Sequence, residues 1–158
     1  MMISRRVLAV VCGAIAMVTC CTACTSPADK LRPVATKAAR AKATGALGQL
    51  RATTPPTSES IDRTIAEITH DWNNGGSTVL LGNDFSPNGR FTARYAFFAL
   101  VGDGFSGQYE QLAVRLCVSY SGDPRRPSAV EMADLTCPSG LPDPSDSVPV
   151  DREVKLAD

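Results

Sequence analysis

A chain of 158 residues, 44% hydrophobic and 20% charged, holds enough apolar material for one folded domain. Its 16 basic and 16 acidic side chains cancel. Setting aside Arg5 and Arg6 near the N-terminus leaves 14 against 16, about −2, which argues against nucleic acid as a partner, since that needs a basic surface to displace counterions from phosphates.

Met1 to Arg6 carry two arginines and no acid, and Val7 to Ala23 run without a charge. A basic start, an apolar stretch and small residues before a cut site mark a secretory signal over residues 1–23. An uncleaved membrane helix is the alternative, because a run of about 17 apolar residues is at the short limit for crossing a bilayer. Cys20, Cys21 and Cys24 close the apolar run. The segment Cys21-Thr22-Ala23-Cys24 resembles the lipobox of bacterial lipoproteins, with Thr22 and Ala23 in the small positions and Cys24 in the modified one. Val18-Thr19-Cys20-Cys21 is the other frame, with Cys21 modified. The overall plan resembles small actinobacterial lipoproteins, which transfer no activity. The resemblance implies an extracytoplasmic chain held on the membrane by a lipid on Cys24, or on Cys21. Plain secretion is the alternative. Cys21-x-x-Cys24 also has redox spacing, but that chemistry needs a strand before it and a helix opening at the first cysteine.

Residues 24–57 read as a lipid-anchored basic tether, partly helical. Between Ala28 and Ala52 lie Lys30, Arg32, Lys37, Arg40, Lys42 and Arg51 against Asp29 alone. Leu31, Val34, Ala38, Leu47 and Leu50 make a poor apolar stripe, so the segment is either a basic arm on anionic lipid headgroups or a solvated spacer. Pro55-Pro56 marks a linker. A globular α+β domain is expected over 58–137. Ser58 can cap a helix whose Ile61, Ile65, Ile68 and Trp72 share one face, and Asn73-Asn74-Gly75-Gly76 stops it. Strands follow over Thr78–Leu81 and Phe91–Val101, with a turn at Pro87-Asn88-Gly89 between them. Gly102 to Gly107 reads as a hairpin loop. Tyr109–Tyr120 alternates, with Leu112, Val114, Leu116 and Val118 on one side and Gln111, Arg115 and Ser119 on the other, as in a strand with one buried face. Ala129–Cys137 is the last strand, and proline-rich residues 138–158 read as an irregular tail.

The expected fold is thus one amphipathic helix on a three- to four-stranded antiparallel sheet, cystatin-like or nuclear-transport-factor-like by analogy only. Cys117 and Cys137 are the two cysteines beyond the signal, and an even count in an exported domain implies a disulfide. Their separation of 20 residues corresponds to roughly 3 kcal/mol of stabilisation. Cys117 shares the parity of Arg115 and Ser119, which places the bridge on the outer face of the sheet or at the strand ends.

Constellations for chemistry are thin. His70 is the one histidine, and a small hydrolase would have to use it with Asp71 or a serine. Asp84 to Gly89 has the opening of a calcium loop, but Tyr95 stands where the bidentate glutamate belongs. Gly102-x-Gly104-x-x-Gly107 has dinucleotide-loop spacing without the helix that must follow it. No catalytic set, cofactor or metal site is expected. The reading is a non-enzymatic binding module with a surface protein or small ligand as partner. A His70 hydrolase and a purely structural envelope protein are the alternatives. A binding module should expose apolar groups such as Phe98, Leu100 or Phe105.

Overall fold

The computed structural model describes residues 26–73, 77–105, 108–143 and 148–157. The expected signal over 1–23, and Cys20, Cys21 and Cys24, lie outside the described residues. So do Asn74, Gly75, Gly76 and Gly107, and the side chains of Asp71, Trp72 and Phe105. Among the described residues the fold is α+β: two helices, α1 (Pro27–Arg51) and α2 (Ser58–Asn73), cover one face of a five-stranded sheet. The strands are β1 (Thr78–Phe85), β2 (Phe91–Phe105), β3 (Gln108–Gly122), β4 (Glu131–Asp134) and β5 (Val150–Glu153).

Two findings correct the single-helix, three- to four-strand expectation. The first is α1. The sequence pattern predicts a tether over residues 24–57, yet α1 presents Leu31, Ala35, Ala39, Ala43, Ala46 and Leu50 to the same core as α2 and the sheet. These positions recur at three- and four-residue spacing on one face. Four of them are alanines, whose low hydrophobicity hides the stripe from a search for large apolar groups. Small side chains let the helix approach a sheet face already filled by Phe91, Tyr95, Phe97 and Tyr120, all buried. Ser26 opens α1 with a capping box: its hydroxyl accepts from the Asp29 N–H, and the Asp29 carboxylate accepts from the Ser26 N–H. Pro27 fits the first turn, where the missing N–H costs nothing.

The second correction concerns the tail. Residues 138–158 return to the sheet as β5, and Val148 and Val154 on either side of it are buried. β1, β2, β3 and β4 follow one another antiparallel. β5 joins β3 parallel, on the edge that β4 also uses. β4 pairs residues 118–121 of β3 and β5 pairs 113–115, so two short segments share the fourth strand position.

α2 follows its sequence pattern. Ile61, Ile65 and Ile68 are buried in the main core. The cap is Thr57 rather than Ser58: the Ser60 N–H donates to the Thr57 hydroxyl at 3.2 Å. The loop between the helices is short, and Thr53 ties it by hydrogen bonds to the Gln49 carbonyl and the Thr64 hydroxyl. The prolines therefore mark a tight connection within one core.

β2 and β3 form a long hairpin in continuous register from Phe91↔Gly122 to Phe105↔Gln108. The expected glycine loop is itself strand up to Phe105. Odd residues of β2 and even residues of β3 face the helices. The opposite face carries a second, small core of Ala96, Phe98 and Cys117, covered by Leu135, Cys137, Leu141 and Val150. The Cys117–Cys137 disulfide holds that cover down, with Cα atoms 5.3 Å apart. Leu135, not Cys137, is the ladder neighbour of Cys117, its N–H donating to the Cys117 carbonyl at 2.9 Å. The bridge lies on the outer face, as parity implies.

Candidate functional site

Two tyrosines pin the helices to the sheet. Tyr120 donates its hydroxyl to the Ala43 carbonyl of α1 at 2.8 Å, and Tyr95 donates to the Ile65 carbonyl of α2 at 2.9 Å. The rings stand edge to face, 5.9 Å apart. Burial pushes both hydroxyls well above the ordinary tyrosine pKa. These are neutral structural anchors.

The basic residues of α1 are mostly spent inside the molecule. The Arg40 guanidinium donates to the Lys155 carbonyl at 2.8 and 2.6 Å, and that of Arg51 to the Val130 carbonyl at 3.0 and 2.8 Å. Lys42 donates to the Phe98 carbonyl at 2.7 Å, and burial lowers its pKa. Arg32 pairs with Asp29 at 2.8 Å and with Asp151 at 3.3 Å. Charge-assisted bonds of this kind clamp the helix to the segments flanking it. Lys30 and Lys37 are exposed and make no hydrogen bond or ion pair among the described residues.

Between α1 and β5 lies a groove of about 500 Å³ lined by Arg32, Pro33, Thr36, Lys37, Arg40, Arg152 and Val154. A bulge in β5 builds its far wall. Val150 pairs with Ala113 on the outer face, and the register then shifts so that Arg152 pairs with Val114 on the helix face. The extra residue re-aims Arg152 and Val154 toward α1. Glu153 returns to the outer side and meets Arg115 at 2.8 Å. Arg152, like Lys37, is exposed and has no partner among the described residues. A second cavity, about 250 Å³, lies among Arg90, Gly122, Asp123, Arg126, Ala129 and Glu131. There Asp123 is occupied by Arg125, through its N–H at 3.0 Å and its guanidinium at 3.2 Å.

The free end of the β2–β3 hairpin is the other distinctive surface. β1 pairs with β2 only as far as Phe97. The Phe98 N–H still donates to the Ser77 carbonyl, and Lys42 takes the Phe98 carbonyl. Backbone groups of Leu100, Gly102 and Gly104 point to the same edge by strand alternation. Among the described residues they have no partner. Leu100 is 42% exposed and Tyr109 70%. Both lie on the outer face, with the Tyr109 ring across Gly102 and Gly104: a Cβ at Gly102 would stand 2.7 Å from its hydroxyl. Only glycine admits the ring there.

The sequence candidates are dispersed. His70 sits exposed in the last turn of α2 and makes no hydrogen bond or ion pair among the described residues. The Asp84–Gly89 segment is a plain turn: Asp84 pairs with Arg94 at 2.7 Å, Ser86 bonds Asn88, and Gly89 takes a positive φ of 81°. Phe98, expected on the surface, is buried beneath the disulfide-held cover. Among the described residues no group of three or more His, Cys, Asp or Glu side chains could hold a metal, and no helix is long and apolar enough to cross a membrane. The groove escaped sequence reading because a bulge in β5, which begins at Val150 while α1 ends at Arg51, completes it.

The fold and its two surfaces define a small disulfide-braced α+β domain with a basic groove and a strand edge that is bare among the described residues. Comparison with models of known protein families, with curated proteins and with solved structures finds no match for this chain.

Proposed function

We propose that this protein is a membrane-anchored extracytoplasmic binding module without catalytic chemistry, and that it captures an extended segment of another envelope protein along the free end of β2. The observation that carries this reading is the backbone edge at Leu100, Gly102 and Gly104, which has no partner among the described residues, beside the exposed Leu100 and Tyr109. An extended peptide can add a strand to such an edge, its backbone supplying affinity and its alternate side chains specificity. Monomeric proteins blunt exposed edges with charge or proline. Here the edge is Leu-Val-Gly-Asp-Gly, with one charge on the inner parity. The lipobox-like Cys21–Cys24 segment supports the anchor, and the Cys117–Cys137 bridge supports an oxidising compartment.

A photo-crosslinking residue in place of Tyr109, in cells, should yield a discrete protein adduct. Leu100→Lys, which puts a charge on the edge, should abolish it. Absence of any adduct, or one indifferent to Leu100→Lys, overturns the binding reading in favour of a structural envelope role. The anchor is tested by intact-mass analysis of the membrane fraction with and without a signal-peptidase II inhibitor. A lipidated chain beginning at Cys24 is expected, and a soluble chain or a retained Met1 overturns it.

A further inference from the structure

We infer that the groove between α1 and β5, with the exposed ridge beside it, seats the headgroup of an anionic phospholipid in the membrane. This rests on the proposed anchoring and says which face of the domain meets the bilayer. Three observations converge on it. First, the groove is a built concavity of about 500 Å³ whose walls, Pro33 and Val154, are apolar while its rim is cationic. That combination suits a phosphodiester joined to an acyl chain better than a small hydrated ion. Second, the two groove cations without a partner among the described residues, Lys37 and Arg152, come from different elements. Lys37 stands on α1, and Arg152 is aimed inward by the β5 bulge. Arg32 cannot serve as a third free charge, because Asp29 and Asp151 already hold it. Third, Lys30, Val34 and Lys37 fall at i, i+4 and i+7 and form one ridge on the outer side of α1. Val34 is 56% exposed, an aliphatic group standing between two lysines that have no partner among the described residues. An apolar side chain flanked by cations is how a helix surface enters the headgroup layer.

Position agrees with charge. Ser26, the cap of α1, follows Cys24 by two residues. Arg32 lies six residues further, about 9 Å along the helix axis. A lipid on Cys24 would therefore hold the mouth of the groove within about one Debye length of the anionic surface. Arg40, Arg51 and Lys42 are turned to protein carbonyls. The membrane-facing charge is thus Lys30, Lys37 and Arg152, not the whole basic run of α1.

The test footprints lysine amines. The full chain is placed in nanodiscs of phosphatidylcholine alone, or of phosphatidylcholine with phosphatidylglycerol. An amine-acetylating reagent is added, and peptide masses give the modification rate at each lysine. Three cations at the surface correspond to roughly a hundredfold preference for the anionic bilayer. Lys30 and Lys37 should therefore react at least about fivefold more slowly in the anionic discs, with protection lost at high salt. Lys42 and Lys155, both bonded within the protein, serve as references. Combining Lys37→Gln with Arg152→Gln should restore the reaction at Lys30, since neither side chain supports the fold. Equal rates at Lys30 and Lys37 in the two discs overturn the proposal. Protection by inorganic phosphate in phosphatidylcholine discs also overturns it, by making the groove a site for free phosphate. If the chain fails to enter discs, the anchoring reading fails alone; footprinting with anionic vesicles added in solution still decides the groove.

Discussion

The two helices lie on one sheet face and solve the same problem in opposite ways. α2 brings bulk: Ile61, Ile65 and Ile68 fill the space over β1 and β2. α1 brings absence of bulk. Ala35, Ala39, Ala43 and Ala46 clear room for aromatic groups rising from β2 and β3, and of its buried residues only Leu31 and Leu50 at its two ends are large. Each helix receives one tyrosine hydroxyl on a backbone carbonyl, at Ile65 and at Ala43. The lesson is that a helix can be core without looking amphipathic, provided its partner surface carries the volume.

The comparison can be broken by substitutions of opposite sense. Ile65→Ala should have the largest effect, about 2–5 kcal/mol of lost stability, because it leaves a cavity that α2 cannot close. Denaturant unfolding at unchanged m-value measures it. Ala39→Leu in α1 should cost about 1–3 kcal/mol by overpacking, while Ala41→Leu on the exposed side should stay within about 0.5 kcal/mol. Should Ala39→Leu prove neutral, α1 rests loosely on the sheet, as a tether would.

The tyrosines sharpen the contrast next. Tyr95→Phe and Tyr120→Phe should each cost about 1 kcal/mol at neutral pH. Both hydroxyls have folded pKa values above the ordinary 10.0. The folded chain therefore keeps protons that the unfolded chain releases. This contribution is full below pH 10 and declines as pH rises past it. The wild type should lose stability in alkali more steeply than either phenylalanine variant, followed by thermal melts between pH 8 and 11.

The smallest effect belongs to the first turn of α1. The Ser26 hydroxyl, then Arg32, hold the Asp29 carboxyl below its ordinary 3.8. Its contribution is present above 3.8 and is lost as pH falls through the lowered folded value. Amide exchange in the first turn should quicken there before the rest of the domain opens, and Asp29→Asn should remove that early step.

Large side chains at regular spacing were legible from the sequence: the isoleucines of α2, the alternation of β3, and the two distant cysteines with the correct outer parity. Periodicity reports burial only where the buried groups are big. The alanine stripe was illegible for that reason, and the basic residues beside it gave α1 the look of an arm. The sequence leaves Phe98 among the expected exposed groups because nothing local announces that Leu135, Leu141 and Val150 return to cover it. The proline-rich tail concealed β5, whose four residues are too short to declare a strand alone.

By itself, then, the sequence determined the α+β class and the hairpin of β2 and β3, because local period and parity encode them, and the pairing of Cys117 with Cys137, because no other cysteine follows Cys24. Tertiary structure alone decided that α1 belongs to the core, that its cations turn inward to carbonyls, and that a bulge in β5 aims Arg152 across a groove toward Lys37. Each of those depends on groups far apart in the chain, from 56 residues between Lys42 and Phe98 to 115 between Arg40 and Lys155, where no local pattern reaches.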